Sequence, residues 1–67
     1  MGLRWTDFED IGIVLKNKYP ELKPLNVSTI DIHRFVIELP DFEDDPKKTS
    51  PGILESIQMA WAEEYRS

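Results

Sequence analysis

The chain has 67 residues, 13 of them acidic and 8 basic, for a formal charge of −5, and it has no cysteine. One small domain spanning residues 1–67 is expected, standing on its apolar core alone, because disulfides, thiolate zinc sites, cysteine-ligated clusters and cysteine nucleophiles are all excluded. The charge disfavours nucleic acid and anionic lipid and favours cations or basic proteins, though acidity of this size also simply keeps a small protein soluble.

Thr6 followed by Glu9 reads as a capping box, with the hydroxyl on free amides and the carboxylate reaching back. A helix is predicted from about Asp7 to Lys18, with Phe8, Ile11 and Leu15 on one face and Val14 beside them. Pro20 ends it. Residues 20–27 (Pro-Glu-Leu-Lys-Pro-Leu-Asn-Val) read as an extended connection in which Leu22, Leu25 and Val27 tuck into the core, with a short extended pairing near 24–28. Ser28 caps a second helix over Thr29–Leu39, whose core residues Ile32, Phe35, Val36 and Leu39 recur at i, i+3, i+4, i+7, and Val27 staples onto Ile32. Ser50-Pro51 is a cap followed by proline at the first helical position. The third helix should run from about Pro51 to Tyr65 with Ile53, Leu54, Ile57, Trp61 and Tyr65 inward. No strand alternates convincingly. The expected fold is therefore mainly α, a compact three-helix domain.

Between the second and third helices lies Asp41-Phe42-Glu43-Asp44-Asp45, four carboxylates in five residues, closed by Pro46. Asp41, Glu43 and Asp45 have the spacing that opens an EF-hand. That loop needs glycine at its sixth position and glutamate at its twelfth, where this chain has Pro46 and Gly52, so an EF-hand is rejected. Two readings stand: a solvated acidic loop, which spacing favours, and a loose all-oxygen site for a hard cation. In an extended loop Asp41, Glu43 and Asp45 share one side. Asp44 shares the other with Phe42, which would anchor the loop to the core.

Other acids fall at helix ends. Asp7, Glu9 and Asp10 sit at an N-terminus, where the helix dipole stabilises them. Glu63 and Glu64 sit at a C-terminus, where each costs about 0.3–1 kcal/mol, and Glu38 ends the second helix in the same way. Acids at unfavourable positions hint at function. The single histidine, His33, reads as a partly buried helix residue rather than a base or ligand, and no nucleophile–base–orienter set accompanies it. The chain reads as a non-enzyme. A DNA-recognition helix would need a basic face, and Arg34, His33 and Arg66 do not make one. No apolar run approaches the ~20 residues of a membrane span, and no secretory leader is visible, so a cytoplasmic protein is expected.

Gly2-Leu3-x-Trp5-Thr6-Asp7, Tyr19-Pro20, Asp31-x-His33-x-Phe35, the run Asp41–Pro46, Ile53-Leu54-Glu55-x-Ile57 and Trp61-x-Glu63-Glu64 together resemble the IscX family along essentially the whole chain. These are small acidic accessory proteins of bacterial iron–sulfur cluster assembly. The resemblance implies a modified winged-helix fold used for protein contact. It implies weak iron binding, as Fe²⁺ or Fe³⁺, through Asp41, Glu43, Asp44 and Asp45. It also implies a monomer that docks on a basic surface of cysteine desulfurase through these four residues. To them we add Asp7, Asp10, Asp31, Glu38 and Glu63, acids outside that motif, as further expected contacts. The cluster scaffold and ferredoxin are additional implied partners. The alternative within the resemblance is a frataxin-like protein that delivers iron as cargo. Phe35 stands where an indole is common in the family, and Glu43 where aspartate is commoner. Ile13, Asn17 and Lys23 replace acids of relatives, so this chain is less acidic than they are. An exposed Ile13 would offer a partner an apolar contact instead.

Overall fold

A computed structural model describes residues 2–67, which form three helices, α1 (Phe8–Lys18), α2 (Thr29–Ile37) and α3 (Pro51–Arg66), with a 3₁₀ turn (Pro24–Asn26) before α2; α2 and α3 begin where a serine hydroxyl accepts from a free amide. Ser28 Oγ accepts from the Asp31 amide at 3.3 Å and Ser50 Oγ from the Ile53 amide at 3.3 Å, as the two serine caps predict. α1 departs from expectation. Its N-cap is Asp7 and makes no side-chain cap bond, so the Thr6–Glu9 box does not form. The Asp7 carboxylate turns back to the Arg4 amide at 2.9 Å. Trp5 is the reason: its buried indole sets the path of the chain into α1.

The three predicted stripes meet in one core of Ile11, Leu15, Ile32, Val36, Leu39, Leu54, Ile57 and Trp61, joined by Trp5. α3 is the central element and packs against α1, α2 and the 3₁₀ turn. α1 approaches it tightly at Gly12, which is buried. A Cβ there would lie 2.9 Å from both the Ala60 carbonyl carbon and the Trp61 amide nitrogen. Tyr19, Phe35 and Trp61 link α1, α2 and α3 by ring contacts, with centroids 4.7 and 6.5 Å apart.

Three placements differ from the sequence reading. In the 20–27 connection Pro24 is the residue that is buried, while Leu22 and Leu25 are exposed; Val27 does pack on the core. The segment forms a 3₁₀ turn rather than an extended pairing, and the Gln58 amide holds it by donating to the carbonyls of Pro24 (2.8 Å) and Val27 (2.9 Å). On α3, Tyr65 is exposed and Ala62 takes the buried position. Among the described residues the one β pairing is a parallel bridge between Leu3 and Phe42, and no hairpin wing is formed. The reason lies in residues 40–50, which carry two prolines and little apolar alternation to pin a strand. Among the described residues no helix is long and apolar enough to cross a membrane.

The Gln58 tie makes a simple stability prediction. Gln58→Leu removes both donors from a part-buried pair of carbonyls and is expected to cost about 1–3 kcal/mol. A lowered urea midpoint with unchanged slope would show it. A midpoint equal to that of the parent would mean that water replaces the amide without loss.

Candidate functional site

The acidic segment is folded around two side chains that carry no negative charge. Phe42 turns inward and meets Trp5 edge-on, with ring centroids 4.9 Å apart. Because side chains alternate along an extended segment, an inward Phe42 sends Asp41 and Glu43 outward, and both are exposed. The bridge with the N-terminal segment fixes this register: the Leu3 amide donates to the Asp41 carbonyl at 2.6 Å, and the Glu43 amide to the Leu3 carbonyl at 2.8 Å. Gly2 lies directly against the Glu43 side chain, so a larger residue there would displace it.

Trp5 and His33 then grip the end of the loop by its main chain. Trp5 Nε1 donates to the Asp45 carbonyl at 2.7 Å. His33 stacks on the Trp5 indole, with centroids 5.5 Å apart and planes 20° from parallel. Its Nε2 lies 2.6 Å from the Pro46 carbonyl. A carbonyl only accepts, so Nε2 carries the proton. His33 is half-buried, as its position on the helix predicts. What spacing does not reveal is its partner, a carbonyl 13 residues away.

Asp44 stands apart from the other three acids. Its Oδ2 accepts from the Trp5 amide at 3.1 Å and its Oδ1 from the Asp45 amide at 2.7 Å. The Trp5 amide bond first, then the Asp45 amide bond, hold its carboxyl below the ordinary aspartate range; burial opposes them less strongly, and Arg4 and Lys48 add the smallest effects in the lowering direction. A depressed carboxylate contributes stability that is full above the unfolded-state pKa and is lost as pH falls through the folded-state one. The loop is therefore expected to stay closed at neutral pH and to loosen only below about pH 4. Following the Trp5 amide resonance from neutral to acid pH checks this: its largest step should fall below that value and should disappear in Asp44→Asn. A midpoint at or above the ordinary aspartate value would overturn the assignment.

The remaining free carboxylates of the loop are Asp41, Glu43 and Asp45. Asp45 is partly engaged, since its Oδ1 accepts from the Lys47 amide at 2.9 Å. Among the described residues no three histidine, aspartate or glutamate side chains converge in a way that could hold a metal ion. The arrangement is an outward-facing acidic edge rather than a cage.

The outlying acids divide. Glu38 caps α2 and is exposed just ahead of the loop. Asp7 lies two residues beyond Trp5 and is engaged by the Arg4 amide; Asp10, one turn further, is exposed. Asp31 pairs with Arg34 at 3.3 Å on the helix that carries His33. Glu63 pairs with Arg66 at 2.8 Å. It lies on α3, and none of the contacts that hold the acidic segment involves it. Both ion pairs are solvent-exposed and contribute at most ~1 kcal/mol each. Ile13 is exposed.

Trp5 is the functional residue that sequence reasoning did not assign to the loop. Its partners lie 39 and 40 residues away, and no periodicity links them.

Two comparisons with known proteins stand beside this geometry. A family model described as iron–sulphur cluster assembly matches residues 3–66. A protein of Pseudomonas aeruginosa, described only as uncharacterized, is 47% identical over 64 residues, which is 96% of this chain and 97% of that protein.

Proposed function

The chain belongs to the IscX family of iron–sulphur cluster assembly, and on that premise we propose that it is a non-enzymatic adaptor whose acidic edge docks on a basic surface of cysteine desulfurase and regulates sulfur supply. The observation that carries the reading is the division of labour in the loop. Phe42, Asp44 and the main-chain carbonyls bind inward, while Asp41, Glu43 and Asp45 are left exposed on a held backbone. A pre-formed charged edge loses little conformational freedom on docking and steers encounter with an opposite surface. Glu38, Asp7, Asp10 and Asp31 extend the same charge toward the neighbouring helices. The protein acts as a monomer, and the scaffold and ferredoxin are secondary partners.

Iron is the weaker ligand in this reading. Exposed carboxylates are hard donors suited to it, yet three outward side chains on an open edge give low affinity, and Asp44 is already committed to two amides. Paramagnetic broadening by Fe²⁺ should begin at Asp41, Glu43 and Asp45. Broadening spread equally over all carboxylates would indicate ion condensation and remove iron from the function.

The desulfurase reading is tested by affinity at several salt concentrations. Wild-type binding should weaken steeply with salt, and the triple variant Asp41→Asn, Glu43→Gln, Asp45→Asn should bind at least about tenfold more weakly with a flatter salt dependence. Asp44 is left in place so that the loop keeps its shape. Equal affinity of variant and parent would rule out the loop as the docking surface.

A further inference from the structure

The acidic segment is held from two sides, and the two differ in kind. From one side the N-terminal segment holds it through Leu3 and Trp5. The Leu3 main chain pairs with Asp41 and Glu43, the Trp5 amide binds Asp44, and the Trp5 indole binds the Asp45 carbonyl. Leu3 and Trp5 both lie ahead of α1 and belong to no helix. From the other side there is one tie. Among the described residues His33 is the one side chain on a helix that hydrogen-bonds to residues 41–46.

Its place on α2 is fixed by the core. Ile32 and Val36 on the same helix are fully buried and set the rotation of α2. His33, next to Ile32, therefore stands at the margin of the core, half-buried, with its ring on the Trp5 indole. That stack orients the imidazole so that Nε2 meets the Pro46 carbonyl at 2.6 Å. Proline fixes its own φ, so the bond is made at a stiff point of the chain.

The chemistry of this tie suits an acidic edge. Neighbouring carboxylates repel one another, and the repulsion favours an open segment. A lysine or arginine bound to those carboxylates would close the segment but cancel the charge that docking uses. His33 and the Trp5 indole instead donate to main-chain carbonyls, so the segment is closed without either of them occupying the exposed carboxylates of Asp41, Glu43 and Asp45.

We infer that His33 is a positioning residue for the docking edge: acting through the Pro46 carbonyl, it ties the acidic segment to α2 and sets the affinity of docking. This role rests on the desulfurase-docking reading and adds to it a residue outside the acidic run. A segment that holds its docking shape only part of the time binds with an apparent Kd raised by the inverse of that fraction. Loss of one hydrogen bond shifts such a balance by roughly twofold to tenfold.

Two uncharged substitutions separate the donor from the ring. His33→Phe keeps a ring on Trp5 and removes the donor. His33→Gln gives up the ring and places an amide N–H where Nε2 stood. Each full-length variant is titrated against cysteine desulfurase at several salt concentrations, and amide exchange is followed in the free protein. His33→Phe should bind roughly threefold or more weakly, with the salt dependence of the parent, since no charge of the edge is lost. Residues 41–46 should exchange faster in it while α3 is unchanged, and His33→Gln should recover most of both effects. At alkaline pH the ¹⁵N shifts of the parent imidazole should place its proton on Nε2. Parent-like binding by His33→Phe, an equal loss in both variants, or a proton on Nδ1 would overturn the inference. The triple variant Asp41→Asn, Glu43→Gln, Asp45→Asn is the control. If it binds weakly while His33→Phe binds like the parent, the edge docks without His33 and only the positioning role fails. If it binds like the parent, the docking reading itself fails and the positioning role goes with it.

Discussion

Trp5→Ala is expected to unfold the domain at room temperature or leave it barely folded. The indole is 2% exposed and belongs to the main core. Truncating a buried tryptophan typically costs about 3–5 kcal/mol, and a single core in a chain below 70–80 residues rarely supplies more than about 3–5 kcal/mol. The loss therefore equals the whole stability. It also removes the face on which His33 stacks, the edge contact to Phe42 and the donor to the Asp45 carbonyl. Trp5→Phe separates these effects. It keeps a ring in the core and gives up the Nε1 donor, yet the Asp45 carbonyl is not orphaned, because the Lys48 amide also donates to it at 3.0 Å. That milder variant is expected to lose about 1 kcal/mol for the hydrogen bond, plus the smaller ring's packing, and to show faster amide exchange in residues 42–46 than in α3. Trp61 gives the contrast. Its Nε1 is buried and finds no partner among the described residues, so Trp61→Phe gives up no hydrogen bond. Thermal melts of the three variants should rank Trp5→Ala lowest. A cooperative melt of Trp5→Ala close to that of the parent would mean that the N-terminal segment is an accessory to the core.

The second large effect is expected at Gly12, where one methyl group should be destabilising although it improves helix propensity. Glycine to alanine inside a helix ordinarily gains about 0.8–1.0 kcal/mol. Here the new Cβ would sit 2.9 Å from the backbone of Ala60 and Trp61, against 3.4–4 Å for ordinary contact. The obstacle is main chain in the middle of a helix, which cannot swing aside as a side-chain tip does, so α1 must shift away from α3. Overpacking of this kind costs about 1–3 kcal/mol, which exceeds the propensity gain. Gly12→Val adds a second clash and a β-branched penalty, and should reach the upper end of that range. For a domain of this size each kcal/mol lowers the melting temperature by about 4–8 °C. Gly52 is the internal control. It lies in the first turn of α3, where a Cβ meets nothing closer than Ser50 Oγ at 3.9 Å. Gly52→Ala should therefore stabilise by about 0.4–1 kcal/mol. The same substitution is expected to move the melting temperature in opposite directions at the two sites. A higher melting temperature for Gly12→Ala would show that the α1–α3 contact has slack.

Much of this architecture was legible in the residues. The serine caps at Ser28 and Ser50, the proline after each of the first two helices, and the stripes Ile11/Leu15, Ile32/Val36 and Leu54/Ile57/Trp61 all appear where spacing puts them. Caps and stripes are local: a cap needs three neighbouring residues, and a stripe needs the 3.6-residue period. The failures are also instructive. Thr6–Glu9 matches a capping box, but the buried Trp5 dictates a different entry into α1. Leu25 reads as core and lies in water, because the Gln58 amide 31–34 residues away fixes the turn with Pro24 inward.

The same division runs through the candidate site. Composition and spacing alone show a dense acidic run at 41–45 without EF-hand geometry, and alternation along an extended segment turns Phe42 opposite to Asp41 and Glu43. The sequence also carried the family, through motifs spread over the whole chain. Folding assigns Asp44 to the fold and leaves Asp41 and Glu43 outward, with Asp45 exposed but partly engaged by the Lys47 amide, while Trp5 and His33 hold the loop by its carbonyls. Folding also pairs Glu63 with Arg66 and leaves Leu25 exposed beside the buried Pro24. The contacts that fix the loop and the turn join residues far apart in the chain, and a hydrogen bond to a main-chain carbonyl leaves no mark on the identity of the residue that accepts it.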